Sequence, residues 1–231
     1  MKVYEIRLQV YLLKDIKVSE AQEKILKLID NILGKDETTL KFHNTNEFKN
    51  YCFNSFYPIE KDGIYKDGTI YTIIIRTIDK FLATYFNKNL SFSYTSSIKA
   101  LKTSMRILPL RKITRLYSIT PVIIKTDNGY WKNVINFSDY ENRIKVNLIK
   151  KYNNTFKTNI DENFQLYSSL QIKNFTPIAV EYKHRKLLGD KLSLDICDNE
   201  FAQKLAYMAL GTGLGEMNAR GLGFVGYKIS P

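Results

Sequence analysis

Two histidines, His43 and His184, are the only side chains of this 231-residue chain whose ordinary pKa lies near neutrality. An imidazole with a pKa of about 6.5 can take or give a proton at neutral pH. His43 lies in Lys41-Phe42-His43-Asn44-Thr45-Asn46-Glu47-Phe48-Lys49-Asn50-Tyr51, with Lys49 six residues on. On residue type alone an ordinary polar loop histidine is the commoner reading, and Lys49 reads as solvated charge. His184 sits in the basic stretch Lys183-His184-Arg185-Lys186, where a structural or polyanion-contacting role is expected.

Six of the eleven glycines fall between Gly211 and Gly226: Gly211, Gly213, Gly215, Gly221, Gly223 and Gly226. Glycine lets one backbone approach another and allows positive φ. Successive N–H groups in such a turn can form a concave anion site, and Arg220 and Lys228 add positive charge at its edges. The stretch Gly221-Leu222-Gly223-Phe224-Val225-Gly226 has the spelling of a dinucleotide-binding loop. That loop needs a strand before it and a helix after it, and here the expected order is reversed. No Gly-Lys-Ser/Thr follows, so a Walker-type phosphate loop is excluded as well.

The surrounding chain favours a polyanion partner. Net charge is +12, from 35 Lys and Arg against 23 Asp and Glu, and such an excess attracts phosphate chains and releases their counterions. Hydrophobic residues make up 44%, enough for a packed core. Lys99, Lys102, Arg106, Arg111, Lys112 and Arg115 alternate with apolar positions, which fits a solvated strand face and a phosphate track equally. The two cysteines, Cys52 and Cys197, form no Cys/His cluster with metal-ligand spacing, so neither metal nor cofactor is expected, and a disulfide between them stays open. The N-terminus alternates polar and apolar residues as a strand does, and no apolar run approaches the ~18 residues of a membrane span. We expect a soluble cytoplasmic protein without a membrane partner.

Periodicity supplies the elements that must position these residues. Val3, Ile6, Leu8 and Val10 open as a strand. Ser19 and Gln22 read as a capping box ahead of a helix with Ala21, Ile25, Leu28, Ile29 and Ile32, stopped by Gly34 in left-handed conformation. Strand-like pieces follow at 51–57 and 69–77, then a helix capped by Asp79, then strand-like segments at 90–94 and 104–108. The second half starts with a strand over 119–125. A capping box of Ser138 and Glu141 then opens a helix with Ile144, Leu148 and Tyr152. Strands at 164–172, 178–182 and 191–196, a helix capped by Asp198, and a strand over 222–229 complete it. The expected class is α+β, with two tandem ferredoxin-like (RRM-like, βαββαβ) domains. Residues 1–117 form the N-terminal domain and 118–231 the C-terminal one, the boundary lying in Arg115–Thr120 just before Pro121.

The pattern Gly213-x-Gly215, five residues, then Gly221-x-Gly223 and a closing strand resembles the C-terminal signature of CRISPR-associated repeat-RNA endoribonucleases, the sixth Cas family in the repeat-associated RAMP superfamily. Thr120-Pro121-Val122-Ile123-Ile124-Lys125, Asn147-Leu148-Ile149-Lys150-Lys151-Tyr152 and Lys183-His184-Arg185-Lys186 before Gly189 also resemble it, although Leu222 stands where the family usually has Phe. The resemblance implies binding and cutting of CRISPR repeat RNA in precursor transcripts. The 2′-hydroxyl attacks, leaving a 2′,3′-cyclic phosphate and a 5′-hydroxyl without a metal. It places catalysis on His43, with Lys49 stabilising charge on the phosphate. It places RNA contact on Gly211, Gly213, Gly215, Arg220, Gly221, Gly223, Lys183 and Arg185. Neither a tyrosine in the first helix nor a second nearby histidine is present, so no general acid is identified. Other Cas proteins of an interference complex, or a second copy of the chain, are the further partners implied. The rival reading is a non-catalytic RNA-binding subunit of such a complex with the same fold.

Overall fold

A computed structural model of the chain describes residues 1–35, 48–182 and 185–230. The elements run β1 (Tyr4–Leu12), β2 (Ile16–Lys17), α1 (Ala21–Leu33), β3 (Tyr51–Phe53), β4 (Ile64–Tyr65), β5 (Ile70–Thr77), α2 (Lys80–Asn89), β6 (Ile98–Ile107), β7 (Ile113–Ser118), α3 (Phe137–Phe156), β8 (Tyr167–Ile172), β9 (Ile178–Tyr182), β10 (Arg185–Gly189), β11 (Leu192–Ile196), α4 (Glu200–Thr212) and β12 (Val225–Ile229).

Two four-stranded sheets carry the fold, ordered β3-β5-β1-β6 and β12-β7-β11-β8. Setting aside the short β2–β4 and β9–β10 pairs, each half has four strands in the order 4-1-3-2, all antiparallel. This is the ferredoxin-like arrangement twice over, as the βαββαβ pattern predicts. One face of each sheet is apolar because strand side chains alternate. Ile6, Leu8 and Val10 pack with Ile25, Leu28, Ile29, Leu82 and Phe86 in the first half. Leu116 and Leu194 pack with Ile144, Leu148, Leu205 and Met208 in the second. No helix among the described residues is long and apolar enough to cross a membrane.

Several local expectations are corrected. The strand expected over 119–125 lies earlier, at Ile113–Ser118, and pairs in the second sheet. The chain therefore passes between sheets at 108–112, and a division at 117/118 would cut a strand. Residues 90–92 form a 3-10 turn rather than a strand. Gly34 ends α1 with φ −81°, so no left-handed stop is made. Asp79 does cap its helix, accepting from the N–H groups of Phe81 and Leu82. The caps of the two second-half helices are Asn136 and Asn199, each close to the expected position, because runs of cap-forming residues leave the choice to the local turn. Both cysteines are free thiols, and Cys52 is buried with its Sγ donating to Leu210 O.

Candidate functional site

The glycine stretch leaves α4 at Thr212, turns through a short 3-10 segment at Asn218–Arg220, and returns as β12. Gly213, Gly215, Gly221 and Gly223 all have positive φ. The stretch is folded onto itself and onto residues 120–123. Leu214 N–H donates to Gly223 O (2.8 Å), Gly223 N–H to Pro121 O (2.8 Å), and Glu216 N–H to Ile123 O (2.9 Å). The apolar run 121–124 is thus buried as expected of a strand, while its backbone serves the glycine loop. All six glycines are buried. The N–H groups of Gly213, Gly221 and Gly223 are donated to Ala209 O, Asn218 O and Pro121 O, so none of these three is open to an anion.

The centre of the loop is held by two side chains that sequence reasoning did not single out. Lys151, on α3 and 3% exposed, donates through Nζ to Gly213 O (3.0 Å), Gly215 O (2.8 Å) and Asn218 Oδ1 (2.6 Å). Those bonds use all three donors of its ammonium. Asn218 in turn donates through Nδ2 to Leu214 O (2.8 Å) and Leu222 O (2.9 Å). A signal existed: Ile144, Leu148 and Lys151 fall at i, i+4 and i+7, so Lys151 lies on the apolar face of its helix.

Burial pulls the Lys151 ammonium far below its ordinary range, to about 7, against opposing influences of Cys52 and Glu216. An unfolded lysine keeps its proton to about pH 10.4. Between about pH 7 and 10 the unfolded chain therefore binds more protons, and stability contributed by this group rises with pH. The wild-type melting temperature should climb relative to that of Lys151→Met across this window in scanning calorimetry. A difference that stays flat with pH would contradict the assignment.

The loop also joins the two halves. Gln22, expected in a capping box, instead donates from Nε2 to Gly221 O (2.9 Å), and Tyr51 OH donates to Ala219 O (3.5 Å). Arg220 lies 3.7 Å from the Asp30 carboxylate on α1. Gly211 meets the end of β5, where an added Cβ would lie 2.8 Å from Ile78 Cγ2 and 3.1 Å from Thr77 C. Beyond the loop, Arg76 on β5 donates from Nη1 to Val225 O (2.7 Å), and its guanidinium sits 4.6 Å from the Phe224 ring centre.

The β9–β10 hairpin also packs on the loop. Val180 and Leu187 of its strands pack with Ile123, Leu222 and Met217. Its connection carries the basic stretch of the sequence. Lys183 and His184 lie outside the described residues, Arg185 starts β10, and Lys186 is exposed.

His43 also lies outside the described residues. Lys49 is described, half-buried, two residues before β3. Asn50 beside it has φ 51°, and three bonds hold that left-handed residue. Its carbonyl accepts from Thr77 Oγ1 (2.7 Å) and Ile78 N–H (3.3 Å), and its Oδ1 accepts from Thr155 Oγ1 (3.2 Å) on α3. In the basic run, Arg106, Lys112 and Arg115 pair with Glu5, Asp198 and Asp195. Lys99 and Lys102 are exposed on β6, the edge strand of the first sheet.

Residues 108–227 match the family model described as CRISPR associated protein Cas6, C-terminal. The chain belongs to the Cas6 family. No curated protein matches it. A solved structure described as CRISPR associated protein Cas6 is 20% identical, with a TM-score of 0.72 over 98% of this chain and 99% of its own. An RAMP protein binding different RNA substrates is 14% identical, with a TM-score of 0.74 over 97% and 99%. A Cas6-related protein from Pyrococcus furiosus is 14% identical, with a TM-score of 0.66 over 98% of each chain. At these identities the likeness is one of fold, and it covers nearly the whole of this Cas6 chain, the family match itself lying in residues 108–227. The matched region contains Lys151, Asn218 and all six glycines of the loop.

Proposed function

We propose that this Cas6-family chain is a metal-independent endoribonuclease that binds CRISPR repeat RNA in precursor transcripts and cuts it to guide-length pieces. The observation that carries the reading is the family match over residues 108–227. In the proposed reaction the 2′-hydroxyl gives up its proton and its oxygen attacks the adjacent phosphorus. The P–O5′ bond breaks, leaving a 2′,3′-cyclic phosphate, and the departing O5′ takes a proton. His43 exchanges one of these protons, and Lys49 offsets charge that builds on the phosphate oxygens.

RNA contact on the glycine backbone finds little support, because the glycines are buried and three of their N–H groups are already donated. In the reading favoured here the loop is a scaffold. It supports Arg220 and, through Val180 and Leu187, the strands of the β9–β10 hairpin, and the sequence stretch Lys183, Arg185 and Lys186 is assigned to the phosphate chain by its charge. The likeness to an RAMP protein that binds different RNA substrates keeps the rival, binding without cutting, as a second reading.

Incubating the full chain with repeat RNA in excess chelator, beside an RNA carrying one 2′-deoxy at the cut, separates the two. We expect cleavage in chelator and none with the 2′-deoxy substrate. His43→Ala should lower the single-turnover rate by about 10²-fold or more while binding is kept. Full-rate cutting by that variant removes His43 from the mechanism, and binding without any cutting supports the rival.

A further inference from the structure

We propose that α3 is a ruler between the glycine loop and the backbone at Lys49 and Asn50, and that Thr155 is a positioning residue for Lys49. The inference rests on the nuclease reading above for its kinetic consequence. Its geometric basis stands without that reading. Lys151 and Thr155 are one helical turn apart and share a face of α3. Lys151 holds the loop through Gly213 O, Gly215 O and Asn218 Oδ1. Thr155 Oγ1 reaches the other half and donates to Asn50 Oδ1 (3.2 Å). A helical threonine ordinarily satisfies its hydroxyl on a carbonyl of its own preceding turn. Here the hydroxyl is given to the residue that follows Lys49.

Asn50 accepts from both halves. Thr77 Oγ1 and Ile78 N–H fix its carbonyl from the first half, and Thr155 fixes its side chain from the second. Asparagine takes up the left-handed region more readily than other side chains, and here these three bonds hold it there. The result is that one turn of one helix sets the distance from the RNA-holding scaffold to the backbone that carries Lys49. Thr155 makes no contact with the reacting atoms in this scheme. It acts through Asn50.

The test uses the full chain with Thr155→Val, which keeps the shape and removes the hydroxyl, and Thr155→Ser, which restores it. A misplacement of about 1 Å can cost about 10²-fold in rate. We expect Thr155→Val to cut repeat RNA at least about 10-fold more slowly in single turnover, with its dissociation constant for the RNA unchanged, and Thr155→Ser to recover most of the rate. Cleavage by Thr155→Val at the wild-type rate overturns the proposal, and so does a loss of affinity equal to the loss of rate. Hydrogen exchange at the Ile78 amide, which donates to Asn50 O, gives a reading independent of cleavage. It should speed up in Thr155→Val and return in Thr155→Ser. If the wild-type chain binds RNA without cutting, the nuclease reading fails, and the exchange data alone decide the ruler: unchanged exchange at Ile78 rejects it.

Discussion

Gly223→Ala is expected to cost the chain about 4 kcal/mol or more, a loss of the size that backbone strain and overpacking of a buried site together produce. Its φ is +68°, which a side chain tolerates poorly, and the new Cβ would stand 1.9 Å from Leu214 O. That oxygen has no room to withdraw. It already accepts from Asn218 Nδ2, and Leu214 N–H is donated back to Gly223 O. Relief would have to open the loop and strip Lys151 of its acceptors. At this size of protein each kcal/mol is worth about 2–4 °C, so the melting temperature should fall by about 10 °C. Gly63→Ala is the control. Gly63 has φ +76° but nothing within 4 Å of the added Cβ, so it isolates the conformational part, about 1 kcal/mol. Equal melting temperatures for the two variants would mean that the close contact at Gly223 has no energetic weight. Repeat-RNA affinity should fall with Gly223→Ala and hold with Gly63→Ala, if the loop is the scaffold of the RNA-binding surface.

This loop marks where sequence reading stops. Six clustered glycines announce close backbone approach, and their order between helix and strand excludes nucleotide cofactors. Spacing alone cannot say whether the approaching backbone belongs to a ligand or to the protein. Here it is residues 121–123 and the loop's own other arm. The same limit explains the strand expected over 119–125. Val122, Ile123 and Ile124 are buried, as an apolar run predicts. Their neighbours, Asp190 and Glu216, are distant in sequence, and only isolated bridges form. Alternation in β1 and the periods of the helices were sufficient for the order of elements, because burial on one face is a local property. Charge on a strand was more deceptive. Glu5, Arg7 and Gln9 look like a solvated face, yet Glu5 is wholly buried. Its burial comes from arginines on two neighbouring strands, a fact of topology that no local pattern carries. His43 and Lys183 were legible as residue types and lie outside the described residues, so their role rests on the sequence.

Arg76→Leu should be the most damaging change away from the loop, at about 3–5 kcal/mol, the cost of leaving a buried charge without its buried partner. Three arginines surround the Glu5 carboxylate. Arg76 Nη2 lies 2.9 Å from it, Arg106 Nη2 2.7 Å and Arg7 Nε 3.2 Å. Only Arg76 is itself buried, its side chain 7% exposed against 57% and 51% for the other two. Water weakens those two pairs, so they cannot replace it. Arg76 also donates to Val225 O, which would lose its partner in the variant. Burial alone would raise the Glu5 carboxyl; the charge and hydrogen bond of Arg76, with Arg106 and Arg7, bring it below the usual carboxylate range. The folded value is therefore the depressed one. Its stabilisation is present above the unfolded pKa of about 4.3 and is lost as pH falls through the folded value. In Arg76→Leu burial gains weight over the remaining charges, so loss of stability should begin at higher pH than in the wild type. Melting curves between about pH 3 and 7 check this. Adding Glu5→Leu should return part of the loss, because the buried carboxylate left with only its two exposed partners is then gone. A double variant that is worse by the simple sum would show that Arg76 acts through Val225 and Phe224 alone. In that case its weight lies wholly in the joint between the two sheets, and the acid limb of the curve should not move.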